Sequence, residues 1–303
     1  MPPIHTQMTC REWSLLILLS IIWGSSFFFQ GYAVHALPPL TIVWLRLAIA
    51  AVSMVIIVRV FGQRVALNRQ TFIPFVALGL VGLGLPFSLL VWAQTHITSS
   101  LASILNGLTP MCIMVVAQIF TNDEKINSRK IIGMVVGFTG VALMIGPEAL
   151  RGITNDVLAQ LGCIGACVCY AFASVFGRRL SKFDLKPAEI VTGQCIAASI
   201  LLLPVTIIIE TPWRIPNPDL LVWGAVLGLA IISTSLAYML FYRILATAGA
   251  TNIGLVTFMV PITAVSLGVL ILGESLELQH IFGASGIAVG LGIIDGRLLS
   301  WLR

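Results

Sequence analysis

The chain has 303 residues, 58% of them hydrophobic and only 10% charged, with a formal net charge of +5. Soluble domains carry about 25% charged residues, so this composition and a mean hydropathy of +1.02 exclude a soluble enzyme, a disordered chain and a disulfide-stapled secreted domain. What fits is an all-α polytopic membrane protein in which the basic residues sit in short loops, not in a nucleic-acid surface.

A spanning helix needs about 20 mostly apolar residues, and ten such stretches follow one another along the chain. The first, Ser14–Val34, follows Arg11 much as a signal peptide would. No small-x-small cleavage site closes it, so it reads as a retained helix. Residues three, four or seven apart share a helix face, which aligns Trp23, Ser26, Phe27 and Gln30. The second span, Thr41–Phe61, holds Arg46, the one basic residue inside a span. It reads either as a carboxylate-binding or gating cation, or as a snorkelling side chain paired with backbone.

The third span, Phe72–Gln94, carries Pro86, and the fourth, Thr98–Phe120, places Asn106 four residues before Pro110. A buried proline frees a carbonyl and kinks its helix. The fifth, Ile131–Pro147, has a small face at Gly133, Gly137 and Gly140, which permits close helix contact. The sixth, Val157–Gly177, sets Tyr170 and Ser174 on one face, and the seventh runs Ala188–Ile209. In the eighth, Leu220–Tyr242, the aligned residues are Ser235, Tyr238 and Tyr242. The ninth, Thr251–Leu272, repeats the proline theme with Thr257 and Pro261. The tenth, His280–Ser300, repeats the glycine face with Gly283, Gly286 and Gly290. Continuously apolar runs such as Leu15–Trp23 lack the alternation of a membrane barrel strand. The connections are too short to hold a soluble domain.

Lys and Arg are retained on the cytoplasmic side. One side of the ten-span arrangement collects fourteen of the seventeen basic residues, and the other holds only Arg151 and Arg214. Both termini are therefore expected in the cytoplasm, with the chain integral to the cell (inner) membrane. Trp13, Trp92, Trp213, Trp223 and Trp301 fall near span ends, where indoles anchor. Trp23 falls mid-span.

The chain also resembles itself at an offset of about 150. Pro110, Glu124, Gly133 and Gly140 recur as Pro261, Glu274, Gly283 and Gly290. The proline-to-glutamate spacing is 14 in the first copy and 13 in the second. Leu78-Gly79-Leu80 matches Leu227-Gly228-Leu229, and Trp23 falls opposite Tyr170. Five spans per half, an odd number, invert the second copy relative to the first. The expected halves are 1–148 and 149–303. Inverted repeats typify secondary transporters, with the substrate between the halves near the midplane.

These residues carry a family resemblance. Trp23-Gly24-Ser25 in the first span, Arg46 in the second and the twice-repeated Pro…Glu…Gly…Gly pattern are similar to the ten-helix EamA-like branch of the drug/metabolite transporter superfamily. The resemblance covers nearly the whole chain. It implies two inverted five-helix repeats and transport of small metabolites, usually export, with aromatic amino-acid exporters one sub-assignment. It also places a similar arginine across many different substrates, which favours a gating or structural role for Arg46, alongside Gly133, Gly137, Gly283 and Gly290.

The expected substrate site comprises Trp23, Phe27, Gln30, Pro86, Asn106, Pro110, Tyr170, Ser174, Ser235, Tyr238, Thr257 and Pro261. The span middles contain no Asp, Glu or Lys, so coupling through a buried carboxylate is not expected. Six cysteines lie mostly inside spans without zinc-like pairing, and no cofactor or metal is expected. The leading reading is a carrier that exports aromatic or neutral amino acids, or related compounds, by alternating access through a largely apolar cavity. The alternatives are a passive channel and a proton-coupled multisubstrate efflux carrier. A catalytic dyad is not visible, so no enzymatic role is expected. The partners are the substrate and the lipid bilayer, as monomer or homodimer.

Overall fold

A computed structural model of the chain describes residues 9–62, 69–120, 128–145, 155–177, 185–241, 243–244 and 256–295. Among these there is no strand. The ten helical runs are α1 Cys10–Ala33, α2 Pro39–Val60, α3 Gln70–Ala93, α4 Ser99–Phe120, α5 Ser128–Ile145, α6 Asn155–Gly177, α7 Pro187–Glu210, α8 Leu220–Phe241, α9 Val256–Ile271 and α10 Leu278–Asp295. They match the ten expected spans. The expected extensions over 251–255 and 296–300 lie outside the described residues, as do Glu124 and Tyr242.

Local chemistry sets the helix starts. Thr9 and Glu12 form a reciprocal cap on α1, with Thr9 N donating to Glu12 Oε2 at 2.8 Å and Glu12 N to Thr9 Oγ1 at 3.3 Å. Asp219 caps α8 by accepting from Val222 N at 2.8 Å. Thr98 does the same for α4 through Leu101 N.

The exterior is apolar. Val60, Ile208 and Leu270 are 76%, 77% and 82% exposed. Water would not tolerate such a surface, and seven helices are long and apolar enough to cross a bilayer, beside shorter apolar helices near the C-terminal end. The chain is an integral membrane protein.

Helix pairing obeys the repeat. Three spans pack on their own counterparts: α2 on α7, α4 on α9 and α5 on α10. The remaining cross-contacts exchange with one another, α1–α9 with α6–α4, α1–α8 with α6–α3, and α2–α8 with α7–α3. The pairing between the halves therefore maps onto itself when they are swapped, as a two-fold relation between two five-helix units requires.

The α5–α10 seam is glycine against glycine. A methyl carbon on Gly140 would lie 2.7 Å from the Gly283 carbonyl oxygen, and one on Gly133 would lie 2.6 Å from that of Gly290. Gly137 takes the Met111 side chain and also faces Gly290. The two small faces recognised in the sequence thus meet within one chain.

Two apolar cores result. One gathers α1, α4, α6 and α9 around Leu16, Leu105, Cys167 and Ala264. The other gathers α2, α3, α7 and α8 around Leu47, Leu83, Cys195 and Leu229.

Candidate functional site

The helices that meet at the centre carry irregularities there, a break in α4 and wide turns in α3 and α8, and α9 carries a proline inside its helix. In α4 the helix stops at Asn106, turns at Gly107-Leu108 and restarts at Thr109. Pro110 has no N–H to give the Asn106 carbonyl four residues earlier. That carbonyl instead accepts from Thr109 Oγ1 at 2.7 Å and from the Cys167 thiol at 3.7 Å. In α9 Pro261 lies inside the helix. A methyl carbon on Gly107 would stand 3.9 Å from the Pro261 ring, so the α4 break adjoins the α9 proline.

The second irregularity is a widening of the helical turn. Leu80–Gly84 in α3 and Gly228–Leu236 in α8 are π-helical, in the stretches that share the Leu-Gly-Leu repeat. Such wide turns occur often at functional sites. In α8 the side chains reinforce the wide turn: Thr234 Oγ1 donates to Leu229 O at 2.8 Å and Ser235 Oγ to Ala230 O at 3.1 Å, both five residues back. Pro86 is buried just after the α3 widening.

Near these irregularities sits an aromatic cluster. Trp23 lies edge-on to Tyr238 with ring centroids 5.9 Å apart, and 5.6 Å from Phe241, while Tyr238 and Phe241 are 6.3 Å apart. The glycine of Trp23-Gly24-Ser25 has a packing reason. A methyl carbon there would stand 2.9 Å from Val260 O, so α1 lies directly on α9 beside Pro261. Ser233 Oγ donates to Ile22 O at 3.3 Å and holds α8 to the same stretch of α1. Phe27, one turn beyond Trp23, is buried in the first core.

Arg46 is 3% exposed. Its Nε donates to Thr234 Oγ1 at 2.8 Å, and its guanidinium carbon lies 3.7 Å from the Phe87 ring centroid. Tyr170 and Tyr238 both lie near it. Tyr170 packs against both cores, which puts this group at their seam. Ser53 and Ser235 share a hydrogen bond at 2.8 Å beside it.

Some expected site residues lie elsewhere. Gln30 is further along α1, buried, accepting from Gln94 Nε2 at 2.9 Å. Ser99 Oγ then donates to Gln94 Oε1 at 3.3 Å. Ser174 is exposed, one turn past Tyr170. Thr257 falls in α9, its side chain outside the described residues. A cleft of about 490 Å³ between α4, α9 and α10 reaches the same Gly107 and Pro261 and is also lined by Val265, Ser266 and Ala284 among others.

Sequence reasoning did not select Ser53, Phe87, Gln94, Thr234 or Phe241. Ser53 and Thr234 were findable as polar residues deep in spans, and Phe241 by its three-residue spacing from Tyr238. Two carboxylates at span ends also have roles the sequence does not reveal. Glu210 accepts from Leu40 N, Thr41 N and Thr41 Oγ1 at the start of α2. Glu274 accepts from Ser99 N, Ser100 N and Ser100 Oγ at the start of α4.

The EamA-like transporter family matches this chain twice, over residues 12–146 and 157–294. An uncharacterized transporter of Archaeoglobus fulgidus is 27% identical over 286 residues, spanning 94% of this chain and 98% of its own. An S-adenosylmethionine/S-adenosylhomocysteine transporter of Chlamydia trachomatis is 25% identical and spans 94% of this chain and 88% of its own. A probable amino-acid metabolite efflux pump of Escherichia coli is 22% identical, spanning 94% and 95%. A solved crystal structure, 18% identical, shares the fold with a TM-score of 0.69 over 96% of this chain and 99% of that one.

Proposed function

Because the chain belongs to the EamA-like transporter family, we propose that it is a secondary carrier exporting aromatic or neutral amino acids, or related small metabolites, by alternating access. The observation that carries this reading is the gathering of helix irregularities, the α4 break at Gly107 beside the α9 proline Pro261 and the paired wide turns of α3 and α8, near Trp23, Tyr238 and Phe241. Interrupted helices near the midplane offer backbone groups to a substrate and let each half bend. Aromatic walls suit an amphipathic or zwitterionic aromatic solute. The name of the Escherichia coli relative supports an amino-acid-derived substrate.

In this reading the protein is a non-enzyme of the cell (inner) membrane, with halves 1–148 and 149–303 and both termini cytoplasmic. The ends of α1 and α3 then lie outside. The Gln30–Gln94 bond would close α1 on α3 at the outer face.

The test is counterflow in proteoliposomes loaded with single amino acids and small aromatic compounds. Saturable uptake accelerated by substrate on the opposite side supports a carrier. Unsaturable flux without trans-acceleration supports a channel and overturns the reading.

A further inference from the structure

We propose that Arg46 is the anchor for a carboxylate on the transported solute, holding the acid end one tyrosine away from the aromatic wall that takes the apolar end. This rests on the carrier reading above.

The argument begins from an imbalance of charge. Arg46 is 3% exposed inside an apolar bundle. Among the described residues it makes a single hydrogen bond, from Nε to Thr234, and its buried Nη1 has no partner. A guanidinium carries five N–H donors and no acceptor. Burying it without a counter-charge is expensive, and intramembrane ionisable groups that bear this cost are found on substrate and ion pathways.

A purely structural arginine would be expected to spend its donors on backbone carbonyls or a carboxylate. Arg46 spends one donor on a threonine and lays its plane near Phe87. The chain offers no anion in the span middles. Glu210 and Glu274 are committed to the first turns of α2 and α4. Among the described residues no carboxylate bonds to Arg46, and the counter-charge is assigned to the solute.

The surroundings specify its class. The fork of a guanidinium matches a carboxylate in geometry as well as charge. Tyr238 lies near Arg46 and meets Trp23 edge-on. A solute with a carboxylate at one end and an aromatic or aliphatic body at the other spans both features. A bare inorganic anion would leave the Trp23 side unused.

The experiment compares counterflow of tryptophan and leucine with that of tryptophanamide, leucinamide and tryptamine, which keep the body and lose the carboxylate. It uses the full-length wild type, Arg46→Gln and Thr234→Val. The wild type is expected to prefer the acids by about tenfold to a hundredfold, the worth of a charge-assisted hydrogen bond. Arg46→Gln is expected to abolish that preference. Thr234→Val keeps the guanidinium and is expected to retain it. Equal handling of acids and amides by the wild type overturns the assignment and leaves the carrier reading standing. So does an unchanged preference in Arg46→Gln. Absence of saturable counterflow for every compound overturns both. Should Arg46→Gln fail to fold, the wild-type comparison of acids with amides still decides.

Discussion

Glu210 and Thr41 lie 169 positions apart in the chain, yet the Glu210 carboxylate accepts from both the Thr41 backbone nitrogen, at 2.6 Å, and its hydroxyl, at 2.8 Å. Leu40 N adds a third donor at 2.9 Å. The first amides of a helix have no partner within it and attract negative charge. The α2 start, after Pro38-Pro39, has no side-chain cap of its own. The last residue of α7 therefore supplies the cap for its repeat counterpart. Glu210→Ala is expected to lower stability by about 1–3 kcal/mol, as for lost hydrogen bonds to a charged group. Glu210→Gln keeps one acceptor oxygen and should lose less. Thermal unfolding of the purified protein in detergent checks the order; equal loss in both variants would show that charge, not geometry, dominates.

The Gln30–Gln94 bond invites a double-mutant cycle. Both amides are buried, and Gln94 also accepts from Ser99. Gln94→Leu leaves the Gln30 carbonyl without its donor. Interhelical hydrogen bonds in membranes are worth about 0.6–2 kcal/mol, so a coupling energy in that range is expected between Gln30→Leu and Gln94→Leu. Additive effects would mean that the pair does not hold α1 to α3.

These two contacts mark where sequence reading ends. The ten spans were legible because a bilayer demands long apolar runs and leaves them little freedom. The α5–α10 seam was legible because glycines spaced by four make a small face whatever that face meets. Residues 169 or more positions apart carry no local sign of pairing, so Glu210 and Glu274 read only as span-end acids. The wide turns of α3 and α8 were also hidden. The Leu-Gly-Leu repeat marked their location, but hydropathy does not distinguish five residues of π-helix from five of α-helix. The centre was partly legible. Trp23 and Tyr238 stand out as members of polar and aromatic stripes on their own helices, and the two rings meet. Gln30, on the same face as Trp23, meets α3 because two further turns carry it beyond the aromatic cluster.

Glycine substitutions should separate close packing from conformational need. A methyl carbon on Gly140 would meet Gly283 O at 2.7 Å and Ile287 N at 2.8 Å, backbone atoms that cannot swing away. Gly140→Ala is expected to push α5 off α10 and cost about 1–3 kcal/mol, the usual penalty of overpacking. Gly224, in α8, has nothing within 4 Å of such a carbon. Gly224→Ala should be neutral or stabilise by up to about 1 kcal/mol through helix propensity. Thermal unfolding of the two variants side by side checks this.

Trp23 carries the aromatic wall. Aromatic pairs contribute about 0.5–1.5 kcal/mol beyond area burial, which corresponds to a change of about twofold to tenfold in apparent affinity. Trp23→Ala and Tyr238→Ala are each expected to raise the half-saturation concentration for counterflow by at least that factor. Trp23→Phe should recover part of it. Unchanged saturation in both alanine variants would remove the cluster from the substrate path.

Pro110 distinguishes a hinge from a scaffold. Its missing N–H leaves the Asn106 carbonyl to Thr109 and Cys167, and α4 breaks there beside Pro261. Pro110→Ala restores a donor at the position where a continuous helix needs one. Pro110 is the second residue of the restarted segment, where a helix tolerates proline, so thermal stability is expected to hold or rise slightly. If α4 bends at this break during alternating access, the straightened helix must slow the exchange. Counterflow turnover should then fall while the half-saturation concentration changes little, since the aromatic wall is untouched. Cys167→Ala, which removes a weak donor but keeps the proline, should leave turnover near wild type. Full turnover in Pro110→Ala would make the break a packing feature and place the moving joint in the wide turns of α3 and α8.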